Sequence, residues 1–206
     1  MIVGGTDMKQ IKWIKNNLPK TEDTNLKYLS PEESKKVHAF HESFPQYSQT
    51  PLVKLDKMAE HLHLNSIFIK DESYRFNLNA FKVLGGSYAI AKYIASQLGR
   101  DISELPYAVL TSEALQKEFG QATFFTATDG NHGRGVAWTA NKLHQKCEVY
   151  MPIGTTQTRL NHILNENAKG SIEDLNYDDC VRKAAAAADA TPNGVIIQDT
   201  AWDGYE

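Results

Sequence analysis

One lysine stands inside an apolar run, Ala80-Phe81-Lys82-Val83-Leu84, and a glycine pair, Gly85-Gly86, follows it. A lysine held among apolar groups is shifted toward its neutral, nucleophilic amine, the form that condenses with an aldehyde. Imine chemistry with an aldehyde cofactor is the reaction these residues suggest for Lys82. Two glycines in a helix cost about 1 kcal/mol each relative to alanine, so backbone is expected to approach a packed neighbour or a ligand there. A second candidate is Asp129-Gly130-Asn131-His132-Gly133-Arg134-Gly135, which follows an apolar run at 122–128. A loop of this kind between a strand and a helix turns backbone N–H groups toward an anion, either a phosphate or a carboxylate. It is not the G-x-G-x-x-G fingerprint, so no nicotinamide site is expected. Asp199 closes the apolar segment at 194–198. Strand ends of this type gather ligands, but they also supply helix caps.

These residues need a frame. Helical periodicity over about 82–98 carries Lys82 at its start, and the spacing predicts a strand over 123–128 and a helix from about Arg134 to His144. Strands are expected at 66–70, 147–151 and 194–198, and helices at 32–44, 155–165 and 177–190, with a short amphipathic piece over 111–119. Such alternation predicts an α/β fold with an open, mainly parallel sheet flanked by helices.

Composition sets outer bounds. The chain has 206 residues, 41% hydrophobic and 23% charged, with a net charge of −3, ordinary values for a globular protein. No long basic stretch calls for a nucleic-acid partner. No apolar run approaches the ~18 residues of a membrane span, and no charged leader precedes an apolar core, so a cytoplasmic location is expected. Cys147 and Cys180 form no C-x-x-C pair and read as two reduced thiols. His38 with His41, and His61 with His63, lack a third ligand of suitable spacing, so no metal site is assigned.

The order of Thr50-Pro51-Leu52, Lys70-Asp71-Glu72, Phe81-Lys82 and a strand running into Gly130-Asn131-His132-Gly133 resembles the tryptophan-synthase-β-like (fold type II) pyridoxal-phosphate enzymes. Three features narrow the resemblance: the aspartate in Thr128-Asp129-Gly130, the Leu78 to Tyr88 segment, and Gln198-Asp199-Thr200-Ala201-Trp202-Asp203-Gly204-Tyr205. Together they are similar to ammonia-lyases of the diaminopropionate type, whereas dehydratases commonly carry serine before the loop. The likeness runs from about Pro51 to Glu206.

The resemblance implies that Lys82 carries pyridoxal 5'-phosphate as an imine and removes the α-proton of an L-amino acid. Asn131 is implied to contact the ring hydroxyl of the cofactor, with Gly130, His132 and Gly133 in the loop that receives the substrate carboxylate. Asp129 is implied to deprotonate the D-isomer and Asp199 to help bind the substrate amino group. Ammonia would leave the β-carbon, and hydrolysis of the product would give pyruvate and a second ammonia. The resemblance also implies a homodimer, with residues 1–90 belonging to a large cofactor-binding domain and 91–206 to a smaller α/β domain.

Family chains extend past the point where this one stops, through a glycine-rich phosphate loop and a residue that partners the pyridine nitrogen. The large domain is therefore expected to be incomplete. Residues 165–173 depart from the glycine-alanine turn and apolar strand of relatives, which leaves a strand there open. The competing readings are an inert truncated product or a chain that completes its fold with a partner and, further off, a serine or threonine dehydratase.

Overall fold

A computed structural model describes Lys15, Asn17 and residues 29–200 of the chain. The pieces expected around Pro19 and residues 201–205 of the terminal motif lie outside the described residues.

The site-bearing frame grows from β3 (Thr123–Ala127), buried from Phe124 to Ala127. A strand buried along nearly its whole length belongs in the middle of a parallel sheet covered on both faces. Parallel neighbours follow through helical crossovers: α6 (Asn131–Lys142), β4 (Lys146–Met151), α7 (Gln157–Leu164), β5 (Lys169–Ile172), α8 (Tyr177–Asp189) and β6 (Gly194–Ile196). The four-stranded sheet has the order β5-β4-β3-β6. The chain thus winds outward from β3 to β5, then crosses back to the other side of β3. Winding reverses between β3 and β6, and the crevice at the carboxyl ends of strands at such a switch point is where open α/β sheets bind ligands.

Two helical layers cover the sheet. On one face α6 buries Val136, Ala137 and Ala140, and α3 (Val83–Gln97) packs over it with Ile90, Ala91 and Ile94. On the other, Cys180, Ala184 and Ala188 of α8 meet Phe125, Ala127 and Tyr150. Small side chains at every fourth position let α8 lie close to the sheet. Cys147 and Cys180 are both free and buried. Residue 90, where a domain division is expected from sequence, lies inside α3.

Before the sheet come α1 (Pro31–Glu42), β1 (Leu52–Lys54), α2 (Asp56–His61) and β2 (Phe68–Lys70). α1 carries the buried His41, whose Nε2 lies 3.0 Å from Leu84 O and 3.1 Å from Ser87 Oγ of α3. β1 and β2 pair antiparallel as a separate two-stranded sheet, apart from the parallel one expected for residues 66–70. All residues of both strands are exposed, Leu52 at 65% and Phe68 at 54%. The T-P-L and K-x-E motifs meet here as a brace. Thr50 Oγ1 donates to Glu72 at 2.6 Å, Lys70 Nζ donates to Thr50, and Glu72 holds Arg75 at 2.8 Å. The Arg75 hydrogen bond lowers the Glu72 pKa to about 2.

The remaining helices, α4 (Tyr107–Leu110) and α5 (Glu113–Phe119), close the path from α3 to β3. Two segments differ from expectation. β5 is present at Lys169–Ile172 although 165–173 lacks an apolar strand pattern; Gly170 pairs with Val149 of β4, and Leu160 and Ile163 of α7 cover it. α6 begins at Asn131, not near Arg134, because the glycine loop is itself the first helical turn. Among the described residues no helix is long and apolar enough to cross a membrane, and no cluster of three or more His, Cys, Asp or Glu could hold a metal ion.

Candidate functional site at the strand ends

Lys82 is the N-cap of α3. The apolar run around it does not bury it. Val83 takes the core position at 1% exposure, whereas Phe81 is 59% exposed, and the Lys82 side chain between them remains 41% exposed. The greasy surroundings expected from sequence are thus corrected: helical geometry sends neighbouring side chains in different directions, and Lys82 faces the strand ends. There its Nζ meets Asp199 Oδ2 at 2.6 Å.

Asp199 reaches the amine because the sheet is finished by a side chain. Ile197 N still donates to Phe125 O of β3. Gln198 then pairs with Ala127 through its side-chain amide, Oε1 accepting from Ala127 N and Nε2 donating to Ala127 O, both at 3.0 Å. The same Nε2 donates to Tyr177 OH at 2.8 Å, and Tyr177 OH donates to Asp199 Oδ1 at 3.2 Å. Burial favours the neutral acid at Asp199, but the Lys82 hydrogen bond and charge prevail and hold its pKa below the ordinary carboxylate value. Burial, reinforced by the charge of Asp199, pushes Tyr177 up to about 12. Neither Tyr177 nor Gln198 is given a site role from sequence: Tyr177 opens an alanine-rich helix, and Gln198, although it stands in the motif that narrows the resemblance, reads only as the end of a strand.

The glycine loop is fixed by Thr128. Its Oγ1 accepts from Gly130 N at 2.9 Å and from Gly133 N at 3.1 Å. Gly130 sits at φ 154° and ψ −76°, a conformation that L side chains avoid. A Cβ on Gly133 would stand 2.3 Å from Thr128 Cγ2 and 2.9 Å from Val149 Cγ1. The loop therefore lies directly on the sheet, and α6 points its N-terminus into the crevice.

Placement of the loop residues is uneven. His132 is buried, bonded through Nε2 to Ile197 O at 2.9 Å, and lines the same cavity as Lys82 and Asp199. Burial lowers its pKa, so the ring is neutral. Asn131 and Gly130 instead line a neighbouring 200 Å³ cleft with Asn79, Arg134 and Arg159. Asp129 is exposed, and its carbonyl accepts from Arg159 Nη1 at 2.9 Å. Of the residues singled out from sequence, the structure joins Lys82, Asp199 and His132 in one cavity. Gly133 lines neither space and is buried against Thr128 and Val149.

That cavity measures about 420 Å³ and is walled by Phe81, Gly85 and Gly86 on the α3 side, within the ~300–1,000 Å³ range of small-molecule sites. A Cβ on Gly85 would meet nothing within 4 Å, so this glycine opens onto free space. A primary amine at the mouth of such a space, faced by a carboxylate and a helix N-terminus, suits an aldehyde that also bears an acidic group. Residues 44–206 match the family described as "Pyridoxal-phosphate dependent enzyme", and the chain belongs to that family, whose cofactor is pyridoxal 5'-phosphate.

Among the members of the family that the chain resembles are diaminopropionate ammonia-lyases, at 44% and 49% identity. The chain is 49% identical over 181 residues to diaminopropionate ammonia-lyase of Salmonella typhimurium, covering 88% of itself and 45% of that protein. The apo crystal structure of the Escherichia coli diaminopropionate ammonia-lyase superposes with a TM-score of 0.79 at 44% identity, over 86% of this chain and 47% of that one. The same Escherichia coli enzyme in complex with an aminoacrylate-PLP azomethine reaction intermediate gives 0.77 at 42% identity, over 86% and 43%. The chain spans less than half the length of the relatives it matches.

Proposed function

We propose that this chain carries the lysine-bearing part of a pyridoxal-phosphate-dependent ammonia-lyase that converts D- and L-2,3-diaminopropionate to pyruvate and ammonia. The observation that carries the reading is the Lys82–Asp199 pair at 2.6 Å, at the switch point of the sheet. When bound, the cofactor supplies an electron sink for the α-carbon while the β-amino group leaves. The Lys82 ammonium would have to leave Asp199 and give up a proton to solvent before its amine could hold an aldehyde group. Asp199, held ionised, is then released to receive the ammonium group of a substrate. Lys82 Nζ takes the α-proton of the L-isomer in this reading, and Asp129 that of the D-isomer. The loop of Gly130, Asn131, His132 and Gly133 holds the cofactor and the substrate carboxylate, and the neutral His132 adds no positive charge beside the amine. The reading extends to a cytoplasmic homodimer in amino-acid catabolism, with residues 1–90 part of the large domain and 91–206 the smaller one.

A second reading, that the chain is inert alone and completes its fold with another polypeptide, is favoured by the β1–β2 sheet. Both strands are exposed throughout, with Ile69 at 47% and Phe68 at 54%; two strands alone are marginally stable in water, and an exposed apolar patch marks a contact surface. Mixing the purified chain with pyridoxal phosphate separates the two. A band at the edge of the visible, lost on borohydride reduction and absent from Lys82→Ala, supports the enzyme; no band at saturating cofactor supports the second reading. Pyruvate release from D- and L-diaminopropionate, against serine and threonine, then tests the substrate. Asp129→Asn is expected to abolish turnover of the D-isomer alone.

A further inference from the structure

The segment that delivers Lys82 is held in an unfavourable backbone conformation. Phe76, Asn77 and Asn79 have φ of 48°, 60° and 60°, a left-handed region that asparagine adopts readily but a bulky side chain such as that of Phe76 avoids. The two asparagines suit that path, but nothing in the sequence of the loop itself sustains it at Phe76. Helix α6 does, at successive points along it. The Phe76 ring stacks on Trp138 with centroids 5.2 Å apart. The guanidinium of Arg134 donates through Nη1 to Leu78 O at 3.1 Å, while its Nε faces Glu166 at 3.4 Å. Beyond the lysine, a Cβ on Gly135 would lie 2.7 Å from Val83 Cα and 3.0 Å from Val83 N. The contact is mutual, since a Cβ on Gly86 would meet Val136 Cγ2 at 3.2 Å.

We propose that Arg134 and Gly135 of α6 are positioning residues for Lys82, clamping the chain before and after it so that the amine meets Asp199. The proposal rests on the reading of Lys82 as the reactive amine, although the clamp itself can be tested without it. The same helix presents Asn131 and His132 from its first turn, so α6 sets the lysine and the glycine loop in one register. Arg134 acts through a backbone carbonyl and Gly135 through the absence of a side chain; neither is assigned contact with a substrate.

Labelling with acetic anhydride, read lysine by lysine by mass spectrometry with the exposed Lys35 and Lys57 as internal standards, tests the clamp. In the natural sequence Lys82 is expected to react about fivefold more slowly than the standards, the factor a part-exposed ion pair gives. Asp199→Asn is expected to remove that protection. Gly135→Ala and Arg134→Met should remove it equally, with circular dichroism and the labelling of Lys35 and Lys57 unchanged, while Arg134→Lys, which keeps a donor near Leu78 O, retains it. Protection that survives in Arg134→Met overturns the proposal, and so does loss only in parallel with faster labelling at every lysine. If Gly135→Ala does not fold, the two Arg134 variants decide. The labelling needs no cofactor: a chain that shows this pattern yet gives no band with pyridoxal phosphate refutes the enzymatic reading and leaves the clamp standing.

Discussion

Acidification should weaken this fold through His41 before it affects the carboxylates. The ring is 4% exposed and joined to the first turns of α3 through Leu84 O and Ser87 Oγ. Burial lowers its pKa from the ordinary 6.5 to about 4. The unfolded chain therefore binds a proton at a pH where the folded chain does not, and stability falls as pH drops through that interval. At ~1.4 kcal/mol per pH unit between the two values the full loss is ~3 kcal/mol, of which ~2.5 kcal/mol is spent by pH 4.5. Glu72 acts with the same sign in a lower window: its pKa is lowered to about 2 from 4.5, so its contribution is present above pH 4.5 and is lost only below it. Urea unfolding of the natural sequence and of His41→Gln, each at pH 7 and pH 4.5, isolates the histidine. His41→Gln is expected to be less stable at pH 7 and to lose ~2.5 kcal/mol less on acidification. Equal pH dependence in the two proteins would refute the reasoning. Because His41 grips α3 just beyond Lys82, the same acidification should loosen the site.

Gly133→Ala puts a methyl group 2.3 Å from Thr128 Cγ2 and is expected to cost about 1–3 kcal/mol, read as a fall in the unfolding midpoint. Gly85→Ala meets open space and should raise stability by up to about 1 kcal/mol, while narrowing the cavity and weakening pyridoxal phosphate binding in an absorbance titration. Asp199→Asn removes a negative charge beside Tyr177; the titration of that phenol, followed by ultraviolet absorbance, should move down from about 12 toward its ordinary value. An unchanged titration would mean that burial alone sets it. Thr50→Val deprives Lys70 and Glu72 of a shared partner and should destabilise the chain by about 1–3 kcal/mol, measurable by thermal unfolding.

Local patterns revealed most of the elements, because apolar periodicity is imposed by the layers each segment packs between. The strand at 123–128 and the helices at 82–98 and 177–190 fall within a residue or two of β3, α3 and α8. What local pattern could not show was which way a side chain points at an element's end. Lys82 has apolar neighbours on both sides, yet as an N-cap it escapes the core that takes Val83. Nor could it show the start of α6, where the hydroxyl of Thr128, not a residue of the glycine loop, supplies the acceptor. β5 draws its place from β4 and α7 rather than from its own weak sequence, Lys169-Gly170-Ser171-Ile172. The meeting of Lys82 with Asp199, 117 positions apart, follows from the winding of the chain, and sequence suggested it only through likeness to a family.

Gln198 lends its amide to β3 as though it were a peptide unit, and this decides where the chain travels next. Ala127 keeps a donor and an acceptor although β6 has already ended at Ile196. Released from the ladder without leaving an orphaned edge, the backbone can bend after Ile197 and swing its next carboxylate sideways over the end of β3. Were the strand prolonged by ordinary pairing, that acid would ride onward along the sheet axis and overshoot the lysine.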